Sequence, residues 1–256
     1  MLFDSHAHLT DERVYPVVQD VLQRAVQAGV AMIANVCTDS ASLSRGLELQ
    51  QIAPQVLLAA AIPPHSVQEA EVAETFERIK EEAHAGRLSA IGETGLDYYY
   101  HGASKELQHE VFVQYLELAK ECGLPIIIHC REAFSDFFEI IDAHYREGKG
   151  VLHCFTGTQQ DADALVKRGW MVSFSGIVTF KKSVELQAIA KQLPLENLLI
   201  ETDTPYLAPQ KQRGKQNEPA FLVETAQFLA NLKGIAFEQF AQATTANAQS
   251  FFNRLL

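Results

Sequence analysis

No hydrophobic run in this 256-residue chain approaches the ~20 residues that a bilayer-spanning helix requires, so a membrane span is not expected. Basic residues are scarce as well: 21 Lys and Arg stand against 32 Asp and Glu, a formal charge of −11. A protein that grips nucleic acid by broad phosphate neutralisation needs many cations, so tight, non-specific duplex binding is unexpected and a local positive patch is the most to look for. A phosphate-bearing substrate stays compatible, because bound divalent cations reverse the field of an acidic pocket. The four cysteines, Cys37, Cys122, Cys130 and Cys154, form no CxxC pair and read as reduced, mostly buried thiols of a cytoplasmic protein. The opening Met-Leu-Phe-Asp-Ser-His has no basic leader, and no signal peptide is expected. Linkers, repeats and low-complexity segments are missing too, which points to one domain over residues 1–256.

What the chain does have is 47 % hydrophobic content, enough for one large core, and an alternation of short apolar runs with amphipathic stretches. Strands are expected at 2–4, 31–36, 56–62, 88–91, 125–128, 150–152, 171–173 and 198–200. Helices are expected at 17–28, 42–52, 67–85, 106–121, 134–146, 159–167, 184–192 and 220–232, with the tail from about Ala236 forming a final helix pair. Gly29, Gly123 and Gly169 close helical stretches. Eight strands each followed by a helix predict an α/β fold, a (β/α)8 TIM barrel of the metal-dependent hydrolase type.

Six metal-ligand residue types sit at or just past the ends of those runs: His6, His8, Glu93, His129, His153 and Asp203. A parallel barrel gathers its strand ends at one face, where such distant residues meet. His6 and His8 are two apart, so both can face the axis while Ala7 turns away. Gly92 and Gly95 leave room around Glu93. His129 and His153 end apolar runs, where an imidazole is costly to bury unless paired or metal-bound. Histidine and carboxylate donors suit Zn²⁺, Mn²⁺ or similar ions, with Mg²⁺ less favoured. Six donors exceed one tetrahedral site, so two divalent cations are expected, bridged by Glu93, with Asp203 both a ligand and the acceptor of the attacking water's proton. Glu93 and Asp203 are thus the expected catalytic residues.

Several longer motifs resemble the TatD family of metal-dependent deoxyribonucleases: Asp-Ser-His-Ala-His-Leu, Ile-Gly-Glu-Thr-Gly-Leu-Asp-Tyr, Pro-Ile-Ile-Ile-His-Cys-Arg-Glu-Ala, Val-Leu-His-Cys-Phe-Thr-Gly, Ser-Phe-Ser-Gly-Ile-Val-Thr-Phe, Ile-Glu-Thr-Asp-Thr-Pro-Tyr-Leu-Ala-Pro and Arg-Gly-Lys-Gln-Asn-Glu-Pro. The match runs in the family's order from Phe3 to about Phe252. The resemblance implies an amidohydrolase-type barrel with one or two divalent metals, the same six ligands, and hydrolysis of DNA phosphodiesters, often 3′-to-5′ on single strands. After strand 3 the family commonly has Gly-Val-His-Pro-His; here Ala-Ile-Pro-Pro-His replaces the first histidine with Pro63 and keeps His65 as a substrate contact.

Other matching residues have open roles. Arg131 either reaches a substrate phosphate or pairs with a surface acid such as Glu132. Glu201 supports a helix or orients a ligand histidine. Arg213, Lys215 and Asn217, with Lys181 and Lys182, form the nearest approach to a basic patch, either a nucleic-acid contact or a solvated loop. Tyr98, Tyr99 and Tyr100 either stack bases or pack a long loop. The chain is expected to work as a monomer on single-stranded DNA or 3′ ends. A small-molecule amidohydrolase or esterase with the same metal centre is the alternative, since fold and ligands alone do not choose the electrophile; a non-catalytic barrel is the third reading.

Overall fold

A computed structural model describes residues 1–68, 71–100 and 102–253. Eight parallel strands pair strictly in sequence order. They are β1 (Leu2–Ala7), β2 (Val30–Cys37), β3 (Val56–Ala60), β4 (Ala90–Asp97), β5 (Ile126–Arg131), β6 (Gly150–Leu152), β7 (Met171–Phe174) and β8 (Leu198–Ile200). The ring closes where β1 meets the segment after β8: Asp203 N–H donates to His6 O at 2.9 Å and His8 N–H donates to Thr204 O at 2.8 Å. Around it lie α1 (Val18–Gln27), α2 (Ser40–Ile52), α3 (Val72–His84), α4 (Lys105–Cys122), α5 (Phe134–His144), α6 (Gln159–Lys167), α7 (Val184–Gln192), α8 (Leu222–Lys233) and α9 (Phe237–Phe251). This is a (β/α)8 barrel. Among the described residues no helix is long and apolar enough to cross a membrane.

The two-residue period of a strand divides the core in two. Phe3, Leu57, Ala59, Ile127, Val151 and Leu199 fill the barrel interior. Their neighbours Leu2, Leu58, Ile126, Ile128, Leu152, Leu198 and Ile200 face the helices. The interior is plugged at its lower end by α9 and the residue after it, with Phe252 stacked on Phe3 at a centroid distance of 5.3 Å. Continuing the alternation upward turns His129, His153 and Glu201 inward, because they lie two residues past Ile127, Val151 and Leu199.

The same alternation would turn His6 and Glu93 outward, since Phe3 and Ala90 face in. Both strands break register at that point: β1 slips against β2 between Asp4 and Ala7, and β4 slips against β5 between Ile91 and Thr94. Each irregularity switches the face on which the following side chains lie, the usual use of a bulge beside an active site. Gly92 makes the second one possible. Its φ is +142°, and a Cβ there would lie 2.6 Å from Ile127 Cβ and its carbonyl oxygen.

Several expected boundaries shift. β4 and β5 run on to Asp97 and Arg131, so Glu93 and His129 lie inside their strands; Gly92 and Gly95 let β4 pass close to β5 where the apolar pattern has already ended. The helix expected from residue 67 begins at Val72, after a short 3-10 turn over Pro64–Ser66. Residues 69 and 70 of that expectation lie outside the described residues, as do the last three of the 256 assigned to one domain. The tail is one helix, α9, and not a pair. Its polar centre does not break it, because Thr244 Oγ1 donates to Phe240 O at 3.0 Å and Asn247 Nδ2 donates to Leu195 O at 2.8 Å and Leu198 O at 3.0 Å.

Candidate metal centre

All six expected ligands converge at the upper mouth of the barrel, and they do so around Glu93. Its two oxygens face two different groups. Oε2 lies 3.5 Å from His6 Nε2 and 3.7 Å from His8 Nε2. Those nitrogens are 3.2 Å from each other and lie 3.8 and 3.4 Å from Asp203 Oδ1. Oε1 lies 2.9 Å from both His129 Nδ1 and His153 Nε2, themselves 3.4 Å apart. The His6 and His153 rings stack at 4.0 Å between centroids, which holds the two groups side by side.

The separations on the Oε2 side, 3.2–3.8 Å, surround the spacing of donors that share a cation, whereas the two 2.9 Å contacts of Oε1 are hydrogen-bond distances. Bonds of ~2.0–2.2 Å at tetrahedral angles set neighbouring donor atoms roughly 3.3–3.6 Å apart. His6, His8 and Asp203 form one such cluster, and His6, Glu93 and His153 another. The charge balance points the same way. Glu93, Asp97, Glu201 and Asp203 crowd the site, and their charged neighbours among the described residues are histidines, not Lys or Arg. Burial opposes charge on Glu93, yet His153, His129 and His6 hold its carboxyl well below the usual range. Burial likewise opposes protonation of His153, but Glu93 and Glu201 raise it well above its ordinary value. His8 is raised by Asp203, and His129 by Asp97 and Glu93, each against burial; His6 is lowered by burial and by repulsion from His153. In the bare chain, protons on imidazoles thus supply the positive charge that this acidic cluster demands. A divalent cation supplies it better, and leaves the histidines neutral as ligands must be.

Outer hydrogen bonds fix two of the four rings, His8 and His129, while the buried Nδ1 atoms of His6 and His153 have no hydrogen-bond partner among the described residues. His8 Nδ1 meets Val36 O at 3.1 Å, so β2 contributes a carbonyl though no side-chain ligand. Asp97 Oδ2 lies 2.9 Å from His129 Nε2, which leaves Nδ1 for Glu93. Glu201, fully buried, accepts from Cys154 N–H at 2.7 Å and places Oε1 3.3 Å from His153 Nδ1, off the hydrogen-bond direction. Such partners set ring orientation and ligand basicity. Asp203 sits at φ +59°, a conformation uncommon outside glycine. Its turn is clamped by buried Asn217, whose Nδ2 donates to Thr202 O at 2.7 Å and Tyr206 O at 2.6 Å. Below it, Asp4 accepts from Thr202 N–H at 2.9 Å and from Thr202 Oγ1 at 2.6 Å.

The candidate ligands open into a cavity of about 960 Å³. His65 and Arg131 line it with Glu93, His129, His153 and Asp203. Arg131 has no acidic partner among the described residues; its guanidinium lies over Tyr99, 3.6 Å from the ring centroid. Arg213, Lys215 and Asn217 are not among the lining residues. Arg213 is exposed and stacks on Phe180 at 4.6 Å, Lys215 Nζ donates to Gln212 Oε1 at 2.8 Å, and Asn217 is a buried clamp. Tyr98 turns inward to donate to Asp136 Oδ2 at 2.5 Å, whereas Tyr99 and Tyr100 are exposed. Sequence reasoning assigned no role to Asp97, Asp4 or the Val36 carbonyl. The inward alternation from Glu93 through Gly95 was the one available signal for Asp97.

Comparison with known proteins identifies the family and the fold. The family model described as TatD related DNase matches residues 3–253. The metal-dependent hydrolase YabD of Bacillus subtilis is 39 % identical over 254 residues, covering 98 % of this chain and 99 % of that one. The 3′-5′ ssDNA/RNA exonuclease TatD of Citrobacter rodentium is 33 % identical over 257 residues, covering 98 % and 97 %. A crystal structure of YJJV, a TatD homolog from Escherichia coli K12, superposes with a TM-score of 0.93 at 26 % identity, covering 99 % and 98 %. With the matched family, the barrel and the convergent ligands in agreement, the chain belongs to the TatD-related DNase family of metal-dependent hydrolases.

Proposed function

We propose that this chain hydrolyses phosphodiester bonds of single-stranded DNA from 3′ ends, as a single-domain monomer in the cytoplasm using two divalent cations (zinc, manganese or magnesium). The observation that carries this reading is Arg131: a guanidinium with no acidic partner among the described residues, held in the wall of a cavity whose floor is the ligand cluster. A planar cation placed there recognises a phosphate, and its charge would be wasted on a neutral amide or ester. The name of the Citrobacter rodentium relative supports the same substrate class.

His6, His8, Glu93, His129, His153 and Asp203 would hold divalent cations, which would supply Lewis acidity for phosphoryl transfer. The rest falls to the chain itself. Arg131 binds a non-bridging phosphate oxygen, and His65 lines the cavity as a second contact. Asp203 presents Oδ1 to His6 and His8, leaving Oδ2 to take the proton of the attacking water. Asp97 holds the imidazole of His129 in place, and Glu201 sets its negative charge 3.3 Å from His153 Nδ1. Arg213, outside the cavity lining, takes no part in the reacting step.

The test is incubation of metal-loaded protein with a 5′-labelled single-stranded oligonucleotide. A ladder shortening from the 3′ end, abolished by a chelator, is the expected result. An oligonucleotide left intact with magnesium, manganese and zinc alike overturns the reading.

A further inference from the structure

Among the described residues only three large aromatic side chains are exposed: Tyr99 at 49 %, Tyr100 at 55 % and Tyr206 at 46 %. All three stand at the mouth of the barrel. Tyr99 and Tyr100 follow β4, and Tyr206 follows β8; in a ring of eight strands paired in order, those two positions face each other across the mouth. Tyr100 and Tyr206 both line the cavity. Glu93 and Asp203 line the same cavity, and the Tyr206 ring meets His8 edge-on at 6.2 Å.

An arginine lies against each platform. Arg131 lies over Tyr99 at 3.6 Å and over Tyr100 at 5.1 Å, and the two tyrosines pack edge to face at 5.1 Å. On the far side Arg13 lies over Tyr206 at 4.6 Å. Arg13 is itself pinned, donating from Nε and Nη2 to Asp11 at 2.9 and 2.8 Å. Its charge is therefore answered by Asp11, and its guanidinium rests against the Tyr206 ring. Burial does not account for aromatic rings left half open, whereas a stacked ligand does: unpaired bases stack on aromatic side chains regardless of their identity.

We infer that the mouth holds two consecutive unpaired nucleobases of one strand, one on Tyr206 and one on Tyr99 and Tyr100, with the phosphate that joins them over the ligand cluster. This rests on the single-stranded nucleic acid reading above. Paired bases of a duplex keep both faces stacked on their neighbours, so the two platforms select single strands through the bases, complementing phosphate contact at Arg131. Tyr206 and Arg13 are thereby a base-recognition element on the side of the cleft opposite Arg131.

The test measures binding by fluorescence anisotropy, with metal-loaded protein and a labelled phosphorothioate ten-residue thymidylate that resists cleavage. An abasic phosphorothioate of equal length serves as the comparison. Wild-type protein prefers the thymidylate. Tyr206→Ala, and separately Tyr99→Ala with Tyr100→Ala, each weaken thymidylate binding about ten-fold and weaken abasic binding far less. Tyr206→Phe and Tyr206→Trp keep the preference. Equal losses on both oligomers, no loss on either, or phenylalanine and tryptophan as weak as alanine overturn the inference, as does a wild-type protein without preference for the based oligomer. Protein that binds with this preference but leaves the unmodified oligonucleotide uncut keeps the platforms and overturns the hydrolysis proposed above.

Discussion

Asp97 Oδ2 lies 2.9 Å from His129 Nε2, and the opposite nitrogen of the same ring, Nδ1, lies 2.9 Å from Glu93 Oε1. One carboxylate thus aims the imidazole and another receives it. Burial opposes charge on Asp97, but the hydrogen bond from His129 and those from the Tyr100 and Tyr99 amides hold it below the usual range.

Asp97→Asn is the clean change at this pair. The amide oxygen still accepts from the Tyr99 and Tyr100 N–H groups, each 2.9 Å from Oδ1, so the β4–α4 loop keeps its shape. The charge behind His129 is lost. Metal affinity is expected to fall by about 10–100-fold. Titration of the metal-free protein followed by calorimetry checks this, and an unchanged affinity contradicts it.

Metal uptake is expected to release protons. His8, His129 and His153 all have raised values in the bare chain, so they carry protons at pH values where a free histidine has lost them. A ligand imidazole must be neutral. Apparent affinity therefore rises with pH until those folded-state values are passed, by about ten-fold per unit for each proton displaced. Calorimetry in two buffers of different ionisation enthalpy counts the protons. Affinity that is flat between about pH 6 and 8 contradicts the assignment.

Asn217→Ala is expected to destabilise the fold by about 2 kcal/mol or more, because two carbonyls, Thr202 O and Tyr206 O, lose their donor. The turn they flank holds Asp203 at φ +59°, so metal affinity falls with it. Urea unfolding of the metal-free protein reads the first effect and metal titration the second. A stability change below about 0.5 kcal/mol would show that the clamp is idle.

Much of this was legible beforehand. Apolar runs that end in His129 or His153 reveal both a strand and its inward-facing tip, because the two-residue period carries the interior face of Ile127 and Val151 straight onto the ligands. His6 and Glu93 were found by residue type and position. Their inward direction was not derivable from periodicity, since it depends on two register slips that leave no apolar signature. Asp97 was hidden for a related reason: the apolar pattern of β4 stops at Ile91, so nothing in that pattern marks Asp97 as the last residue of a strand. Arg213 had the right chemistry at the end of the right segment. Its loop folds so that the guanidinium lies on Phe180 and Arg213 is not among the cavity-lining residues, a long-range contact that composition does not announce.

The two arginines separate phosphate binding from loop charge. Arg131→Ala removes the cation from the cavity wall and is expected to raise KM for a single-stranded oligonucleotide at least about ten-fold, the loss of one charge-assisted contact. Arg213→Ala is expected to change it less than about two-fold, as for an exposed side chain screened by solvent. Steady-state kinetics on the oligonucleotide decide; equal effects, or a larger one at Arg213, contradict the placement.

The account stands on Glu93 joining two sets of donors with its two oxygens. Anomalous diffraction from crystals soaked in manganese or zinc tests that directly. Two peaks are predicted, one among His6, His8 and Asp203 and one beside His129 and His153, each next to an oxygen of Glu93. A map with no peak in this cluster, or with ions bound away from Glu93, would contradict it.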